Sequence, residues 1–288
     1  MTARGLDHIV HAVRDLDAAA TLYRRLGFTV GSRNRHSWGT HNHIVQLPGF
    51  FIELLTVAAP EKLGSDPFSA LFGTFNRRFI ERQEGFSLLI LESASASADA
   101  EVFRAAGIRV SDALTFEREG KRPDGSTVKV GFALAFARDA KAPAIGFAAC
   151  QQHYPENFWN TAFQQHANTA AAIAGVVLVA ENPSDHHIFL SAFVGERELL
   201  ATSTGITVAT PRGEIQVMDE AAYRSHFAVP APDISRGARI AAVRIAVRDP
   251  AATRHLLRAA GLEFAEPMGR VVVSPAQTMG ATLVFEAA

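Results

Sequence analysis

A unit that occurs four times along the chain constrains the fold of this sequence more than any other feature. Residues 5–30 (GLDHIVHAVRDLDAAATLYRRLGFTV) align without a gap with residues 239–264 (RIAAVRIAVRDPAATRHLLRAAGLEF). Residues 172–195 form a third copy with one additional residue, and residues 86–108 form a fourth, more divergent copy. Each copy has the pattern of a strand, a polar loop, a helix and a glycine. We therefore predict four modules of one kind.

The first copy shows why the middle of each module is expected to be helical. Asp15 suits the N-terminal cap of a helix, and Gly27 suits the left-handed conformation at which many helices end. Between them, apolar residues recur at intervals of three and four and give the helix one apolar face: Leu16, Ala19, Ala20, Tyr23 and Leu26. Three strand-like segments follow, at residues 29–33, 41–47 and 50–57. The sequence thus predicts βαβββ modules and an α+β fold.

The four modules divide the chain into two halves. Residues 1–158 hold modules one and two, and residues 172–288 hold modules three and four. The segment between them, residues 159–171, is expected to be a connector. Its aromatic residues, together with those just before it, are expected to pack against the halves.

Composition excludes several classes of protein. The formal net charge of -1 gives no general basis for binding nucleic acid, which requires a basic surface. No apolar run approaches the roughly 20 residues that span a bilayer. The single cysteine, Cys150, excludes an internal disulfide and fits a reducing compartment. We expect a cytoplasmic protein without a membrane or nucleic-acid partner, either a monomer or a homodimer.

Three segments resemble a known superfamily. They are residues 6–28 (LDHIVHAVRDLDAAATLYRRLGF), residues 38–55 (WGTHNHIVQLPGFFIELL) and residues 150–159 (CQQHYPENFW). They are similar to the vicinal oxygen chelate superfamily and, within it, to glyoxalase-like proteins. The resemblance implies that the modules form two bundles, each a curved mixed sheet with flanking helices around a cleft. Extradiol ring-cleaving dioxygenases share this four-module arrangement.

The resemblance also implies a metal site in the N-terminal half. The superfamily places ligands on the first and last strands of a module, and His8 and Glu53 occupy those positions. Both residues are therefore expected to be metal ligands and catalytic residues. Imidazole and carboxylate together suit a divalent ion such as Zn, Ni, Mn or Fe. Glu53 or a metal-bound hydroxide would serve as the base.

The other modules depart from the superfamily pattern. None of the residues that align with His8 can bind a metal, and these are Leu88, Gly175 and Ala242. The positions that align with Glu53 in modules three and four hold Gln216 and Val284. The metal-ligand layout of extradiol dioxygenases, which lies in the C-terminal half, is lost here. That half is expected to be structural or to act as a lid.

Further site residues are expected at the end of module two and on a strand of module one. The register of the last strand of module two leaves Gln151, Gln152 and His153 open as contributors. His153 would complete a set of two histidines and one carboxylate with His8 and Glu53. Asn42 and His43, with Gln151 and Gln152, are expected to contact the substrate.

Three functions are compatible with these residues. The first is a divalent-metal-dependent enzyme of the glyoxalase-like lyase or isomerase type, acting on a small apolar substrate with vicinal oxygens. The second is a metal-free protein that binds or sequesters a small molecule on the same fold. The third is an extradiol-type dioxygenase with its site in the N-terminal half. Fold alone does not choose among them, because one fold hosts many chemistries.

Overall fold

A computed structural model describes residues 2–121 and 125–288, and these residues form two mixed β-sheets with flanking helices. The first sheet contains β1 (Leu6–Ala12), β2 (Asn34–Arg35), β3 (Thr40–Leu47), β4 (Phe50–Val57), β5 (Gly85–Glu92), β6 (Arg109–Val110), β7 (Leu114–Lys121), β8 (Thr127–Arg138) and β9 (Gly146–Gln152). Its strand order is β2-β3-β4-β1-β5-β9-β8-β6, and β7 also pairs with β8.

The second sheet comes from the C-terminal half of the chain. It contains β10 (Ala170–Val179), β11 (Leu200–Thr202), β12 (Gly205–Ala209), β13 (Glu214–Met218), β14 (Arg239–Val247), β15 (Val271–Val273) and β16 (Thr282–Ala287). The strand order is β11-β12-β13-β10-β14-β16-β15. The division into residues 1–158, 159–171 and 172–288 stays a prediction.

The helices of the first and fourth modules begin at the aspartates that the sequence suggests as caps. The helices are α1 (Leu16–Arg25), α2 (Thr74–Arg82), α3 (Ala96–Ala105), α4 (Pro155–Phe158), α5 (His187–Val194), α6 (Glu220–Phe227) and α7 (Pro250–Ala259). The side chain of Asp15 accepts a hydrogen bond from the Ala18 N–H of α1, and Asp249 caps α7 in the same way. Gly27 has φ +86°, and an added Cβ would lie 2.9 Å from the backbone nitrogen of Asn168. Only glycine satisfies both conditions.

The strand pairing confirms the α+β fold class and the modular repeat. In the first sheet, β1 pairs parallel with β4 and antiparallel with β5. In the second sheet, β10 pairs parallel with β13 and antiparallel with β14. The first and last strands of a module are thus neighbours, and in the first module this pairs residues 43 positions apart, such as Val10 and Glu53.

Each sheet has one face in a core shared by both halves and one face turned away from it. The shared core contains residues of both sheets, with Ile9, Leu89 and Val243 among them. The opposite face of the second sheet is covered by α6, whose Tyr223 and Phe227 are fully buried there. The opposite face of the first sheet forms a cleft lined with aromatic rings. No helix among residues 2–121 and 125–288 has the length and apolar character to cross a membrane.

Candidate functional site

A β-bulge in β1 creates the first part of the site. Strict strand alternation would place Asp7 and His8 on opposite faces of the sheet. The pairing of β1 with β5 shifts between Leu6 and His8, so Asp7 is an extra residue without a partner in β5. The bulge brings the buried Asp7 carboxylate beside the imidazole, with Oδ2 2.5 Å from His8 Nδ1.

This contact fixes the orientation of His8. An ionised carboxylate only accepts hydrogen bonds, so Nδ1 donates and Nε2 remains as the nitrogen with a free lone pair in the neutral ring. The ring also stacks on Phe51, with a centroid distance of 4.2 Å. Gln152 Nε2 donates to Asp7 Oδ1 over 2.8 Å and holds the carboxylate in turn. His8 lines the cleft in a single defined orientation.

Glu53 lines the same cleft from β4. Parallel pairing places Glu53 opposite Val10, two residues after His8. Asn42 Nδ2 donates to Glu53 Oε1 over 2.5 Å. Burial raises the pKa of the Glu53 carboxyl, while nearby His8 and the Asn42 hydrogen bond act in the opposite direction. The site therefore holds a carboxyl group that is more easily protonated than an exposed one.

A chain of hydrogen bonds runs from Glu53 to a cation. Asn34 Nδ2 donates to Asn42 Oδ1 over 2.8 Å, and Arg118 Nη1 donates to Asn34 Oδ1 over 3.2 Å. Arg118 comes from β7 and reaches this wall of the cleft. Burial lowers the pKa of the guanidinium, and the Glu53 charge raises it.

Aromatic side chains form most of the cleft wall around a cavity of about 40 Å³. His36 stacks on Trp38 at a centroid distance of 4.5 Å. Burial and then the Arg118 charge lower the pKa of His36 to about 3, so this imidazole is neutral at physiological pH. The aromatic rings of the wall are Trp38, Phe51, Phe68, Phe72, Phe116, Phe132 and Phe158.

Cys150 adds a sulfur atom to the site. It lies on β9, is buried and lines the cavity. One potential ligand atom from each of Asp7, His8 and Cys150 lies within 4.8 Å of the others. Burial raises the pKa of the Cys150 thiol, and the Asp7 and Glu53 charges add to this effect. The thiol is therefore protonated at neutral pH unless a cation binds beside it.

The remaining expected site residues occupy different places. Asn42 lines the cavity, whereas His43 points to the other face of β3 and pairs its Nδ1 with the Gly31 carbonyl at 2.7 Å. The Gln151 side chain accepts from the Ala96 N–H at the start of α3. Gln152 acts on the site indirectly, through Asp7.

His153 lies away from the cleft. The chain turns after β9, and the His153 N–H donates to the Gly131 carbonyl over 2.9 Å. The residue is exposed, and its nearest aromatic neighbour is Tyr154, at a ring-centroid distance of 6.4 Å. It is not among the residues that line the cavity.

The strand registers identify the residues that stand in place of His8 and Glu53 in the other modules. Applying the β1–β4 offset gives Leu88 and Ala148 in the second module, Gly175 and Gln216 in the third, and Ala242 and Val284 in the fourth. Of these, Gln216 alone has a side-chain oxygen that could bind a metal. That oxygen, Oε1, accepts a hydrogen bond from Arg244 Nη1 over 2.9 Å. The ligand positions are therefore filled in the first module only.

Sequence reasoning missed two contributors to the site. Asp7 was missed because regular strand alternation places its side chain on the face of β1 opposite His8, and a β-bulge has no clear sequence signal. Arg118 was hidden because it lies 65 residues after Glu53, on a strand whose register the sequence does not specify.

Comparisons with known proteins agree with this architecture. The profile of a family described as a glyoxalase-like domain matches residues 6–194. A hypothetical protein from Staphylococcus aureus superposes with a TM-score of 0.70 at 15% identity, covering 99% of this chain and 100% of that one. None of the curated proteins compared with the chain matches it significantly.

Two named enzymes are also structurally similar. A triple mutant of 4-hydroxymandelate synthase from Streptomyces coelicolor gives a TM-score of 0.63 at 12% identity, covering 100% of this chain and 94% of that one. A Mn(II)-bound glyoxalase from Novosphingobium aromaticivorans gives a TM-score of 0.56 at 10% identity, covering 99% of this chain and 82% of that one. At these identities the similarity shows a shared fold.

Proposed function

The chain belongs to the glyoxalase-like domain family of the vicinal oxygen chelate superfamily, and from this premise we propose that its N-terminal cleft is the active site of a divalent-metal-dependent enzyme. The proposed reaction is of the lyase or isomerase type, and the substrate is small and apolar with vicinal oxygens. One observation carries the proposal: His8 and Glu53, the residues at the superfamily's ligand positions, both line one cavity walled by aromatic rings.

The donor atoms present fit a divalent ion. His8 Nε2 and the Glu53 carboxylate would bind it, because both side chains line the cavity. Among the described residues, one potential ligand atom from each of Asp7, His8 and Cys150 lies within 4.8 Å of the others, a group that does not include Glu53. The Cys150 sulfur would be the third ligand, while Asp7 holds the His8 ring. A mixed set of nitrogen, oxygen and sulfur suits a first-row transition ion. When bound, such an ion supplies Lewis-acid polarisation of substrate oxygens. His153 takes no part in the ligand set that we propose.

The residues of the chain would orient the His8 ring, exclude water from the site and accept a proton from the substrate. Asp7 holds the His8 ring, and the aromatic wall excludes water from the reacting atoms. Asn42 holds Glu53 Oε1, so Oε2 is the oxygen that would bind the ion or accept a proton from the substrate. In the site without an ion, burial raises the pKa of Glu53, so this carboxylate is a stronger base there than an exposed one.

The test is turnover by metal-loaded protein on panels of vicinal dicarbonyls and catechols. We expect metal-dependent conversion of a dicarbonyl that Glu53→Gln and His8→Ala abolish. His41→Ala is the matched control, because His41 lies on β3 beside Asn42 but does not line the cavity. Conversion that survives Glu53→Gln would place the chemistry elsewhere, and ring cleavage of a catechol would select the dioxygenase.

A second candidate function is metal-free binding of a small apolar molecule. Leu88 and Ala148 favour it, because they stand at the ligand positions of the second module and neither side chain can bind a metal. Ligand affinity that is unchanged by a chelator and by Glu53→Gln would select this function. The cytoplasmic location and the oligomeric state stay predictions.

A further inference from the structure

Arg118 has a property that the proposed chemistry does not use. Its guanidinium lines the cavity, but its hydrogen-bond partners are neutral: Asn34 Oδ1 at 3.2 Å and the Glu119 carbonyl at 3.1 Å. We propose that Arg118 binds the carboxylate of the ligand, so that the substrate of this cleft is a short apolar monocarboxylate. This inference rests on the proposed function, since it concerns the same cleft.

The charge of Arg118 has no direct ion-pair partner within the described part of the chain, although the Glu53 charge acts on it from a longer distance. No carboxylate of residues 2–121 or 125–288 lies within ion-pair distance of the guanidinium, and no aromatic ring stacks on it. Arg118 is half-buried, and the buried arginines have other partners: Arg4 pairs with Asp99, and Arg244 pairs with Glu286 at 2.7 Å. Arg239 also lacks a carboxylate partner among the described residues, but it lies over the Phe79 ring. A cation withdrawn from water without an anion is costly, and a ligand carboxylate would remove that cost.

The geometry of the guanidinium favours a carboxylate. Of its nitrogen atoms, Nη1 makes both hydrogen bonds just described, and no hydrogen bond to residues 2–121 or 125–288 engages Nε or Nη2, which would meet the ligand. A guanidinium presents its N–H groups as a planar fork that matches the two oxygens of a carboxylate.

The rest of the cleft limits the ligand to one negative charge and a short apolar body. His36, beside Arg118, is neutral at physiological pH and adds no second cation for a phosphate dianion. The wall is mostly aromatic, and the cavity of about 40 Å³ favours a short chain over fused rings. Asn34 and Asn42 link Arg118 to Glu53 on the same wall. A bound carboxylate would therefore direct the adjacent carbon atoms toward Glu53 and His8.

The experiment compares two probes that differ only in charge. Binding of 4-methylpentanoate and of 4-methylpentanamide to the full chain is measured by isothermal titration, with quenching of tryptophan fluorescence as a second readout. Both are repeated with Arg118→Met, which removes the charge, and with Arg118→Lys, which keeps it. Arg104→Met is the matched control, because Arg104 lies on α3 and pairs with Glu101 and Asp112 on the surface.

We expect the wild type to prefer the carboxylate by about 10- to 100-fold, the range for a charge-assisted contact. Arg118→Met should lose that preference without weakening amide binding, Arg118→Lys should keep part of it, and Arg104→Met should keep all of it. Equal affinity of the wild type for both probes, or no carboxylate binding up to the solubility limit, would overturn the inference. So would a preference that survives in Arg118→Met.

Metal content separates this inference from the proposed function. A carboxylate preference in protein that binds no metal would support Arg118 and reject the metal-dependent enzyme. Bound metal without a carboxylate preference would reject the role of Arg118 and leave the enzyme proposal standing.

Discussion

Replacing Asp7 by asparagine tests how the site holds His8. The substitution preserves shape and removes charge. In the wild type, Asp7 Oδ2 lies 2.5 Å from His8 Nδ1, and Oδ1 accepts from Gln152 Nε2 at 2.8 Å. The variant can keep the contact to Gln152. Gln152 Oε1 is buried without a partner among the described residues, so rotation of this amide by 180° offers an acceptor to the new Asn amide.

The substitution therefore weakens mainly the hydrogen bond between residue 7 and His8. A hydrogen bond to a charged group contributes about 1.5–3 kcal/mol, and a neutral one about 1 kcal/mol. The difference of about 1–2 kcal/mol corresponds to a loss of about 5- to 30-fold in metal affinity. Asp7→Ala removes both hydrogen bonds and should cost more, toward about 100-fold.

Metal affinity is measured by competition with a chromogenic chelator. Glu81→Gln removes a carboxylate from the exposed side of α2 and should leave the affinity unchanged. Affinity in Asp7→Asn equal to that of the wild type would refute the argument that Asp7 orients a metal-binding histidine.

Three further predictions concern stability. Burial raises the pKa of Glu53, so the folded metal-free wild type should lose stability as pH rises above the ordinary value of 4.5. Glu53→Gln should lack that loss in thermal denaturation of chelator-treated protein, and parallel pH profiles would contradict the sign. Asp139→Ala leaves buried His186 without its partner at 2.6 Å and should lower the free energy of unfolding in urea by about 1–3 kcal/mol; an unchanged midpoint would contradict this. Phe227→Ala should cost about 3–5 kcal/mol in the same assay without changing metal content, and loss of metal would contradict the structural role of α6.

The modular fold could be predicted because local sequence signals, namely helix caps and helix-ending glycines, mark the repeat. Asp15 and Asp249 cap equivalent helices, and Gly27 and Gly261 end them in positive φ. Such caps and glycines depend on a few neighbouring residues, and the glycine with positive φ is present in all four copies, whereas the side-chain cap is absent from α5 of the third. The order of strands in each sheet then follows from the module itself.

The resemblance to the superfamily predicted that His8 and Glu53 belong to one site. In the structure, both residues line the same cavity. What surrounds them depends on longer-range geometry. The bulge at Asp7 arises from the register of β1 against β5, and Arg118 lies on β7, which pairs with β8. The sequence of either segment alone carries neither fact.

Some residues that were expected at the site lie outside it, because they are on the other face of a strand or beyond its end. Asn42 shares the face of Glu53, whereas its neighbour His43 faces the shared core. His153 lies one residue beyond β9, where the chain has already turned. A one-residue change in register reverses the face of a side chain, so sequence alone could not choose among Gln151, Gln152 and His153.

Metal content tests the central claim most directly. Protein purified without an affinity tag or chelator is analysed by plasma mass spectrometry, beside Glu53→Ala prepared in the same way. We predict near-stoichiometric divalent metal in the wild type and its loss in Glu53→Ala. No metal in either protein, even after incubation with manganese, zinc, nickel or ferrous ions, would contradict the account and leave the cleft as a metal-free binding site.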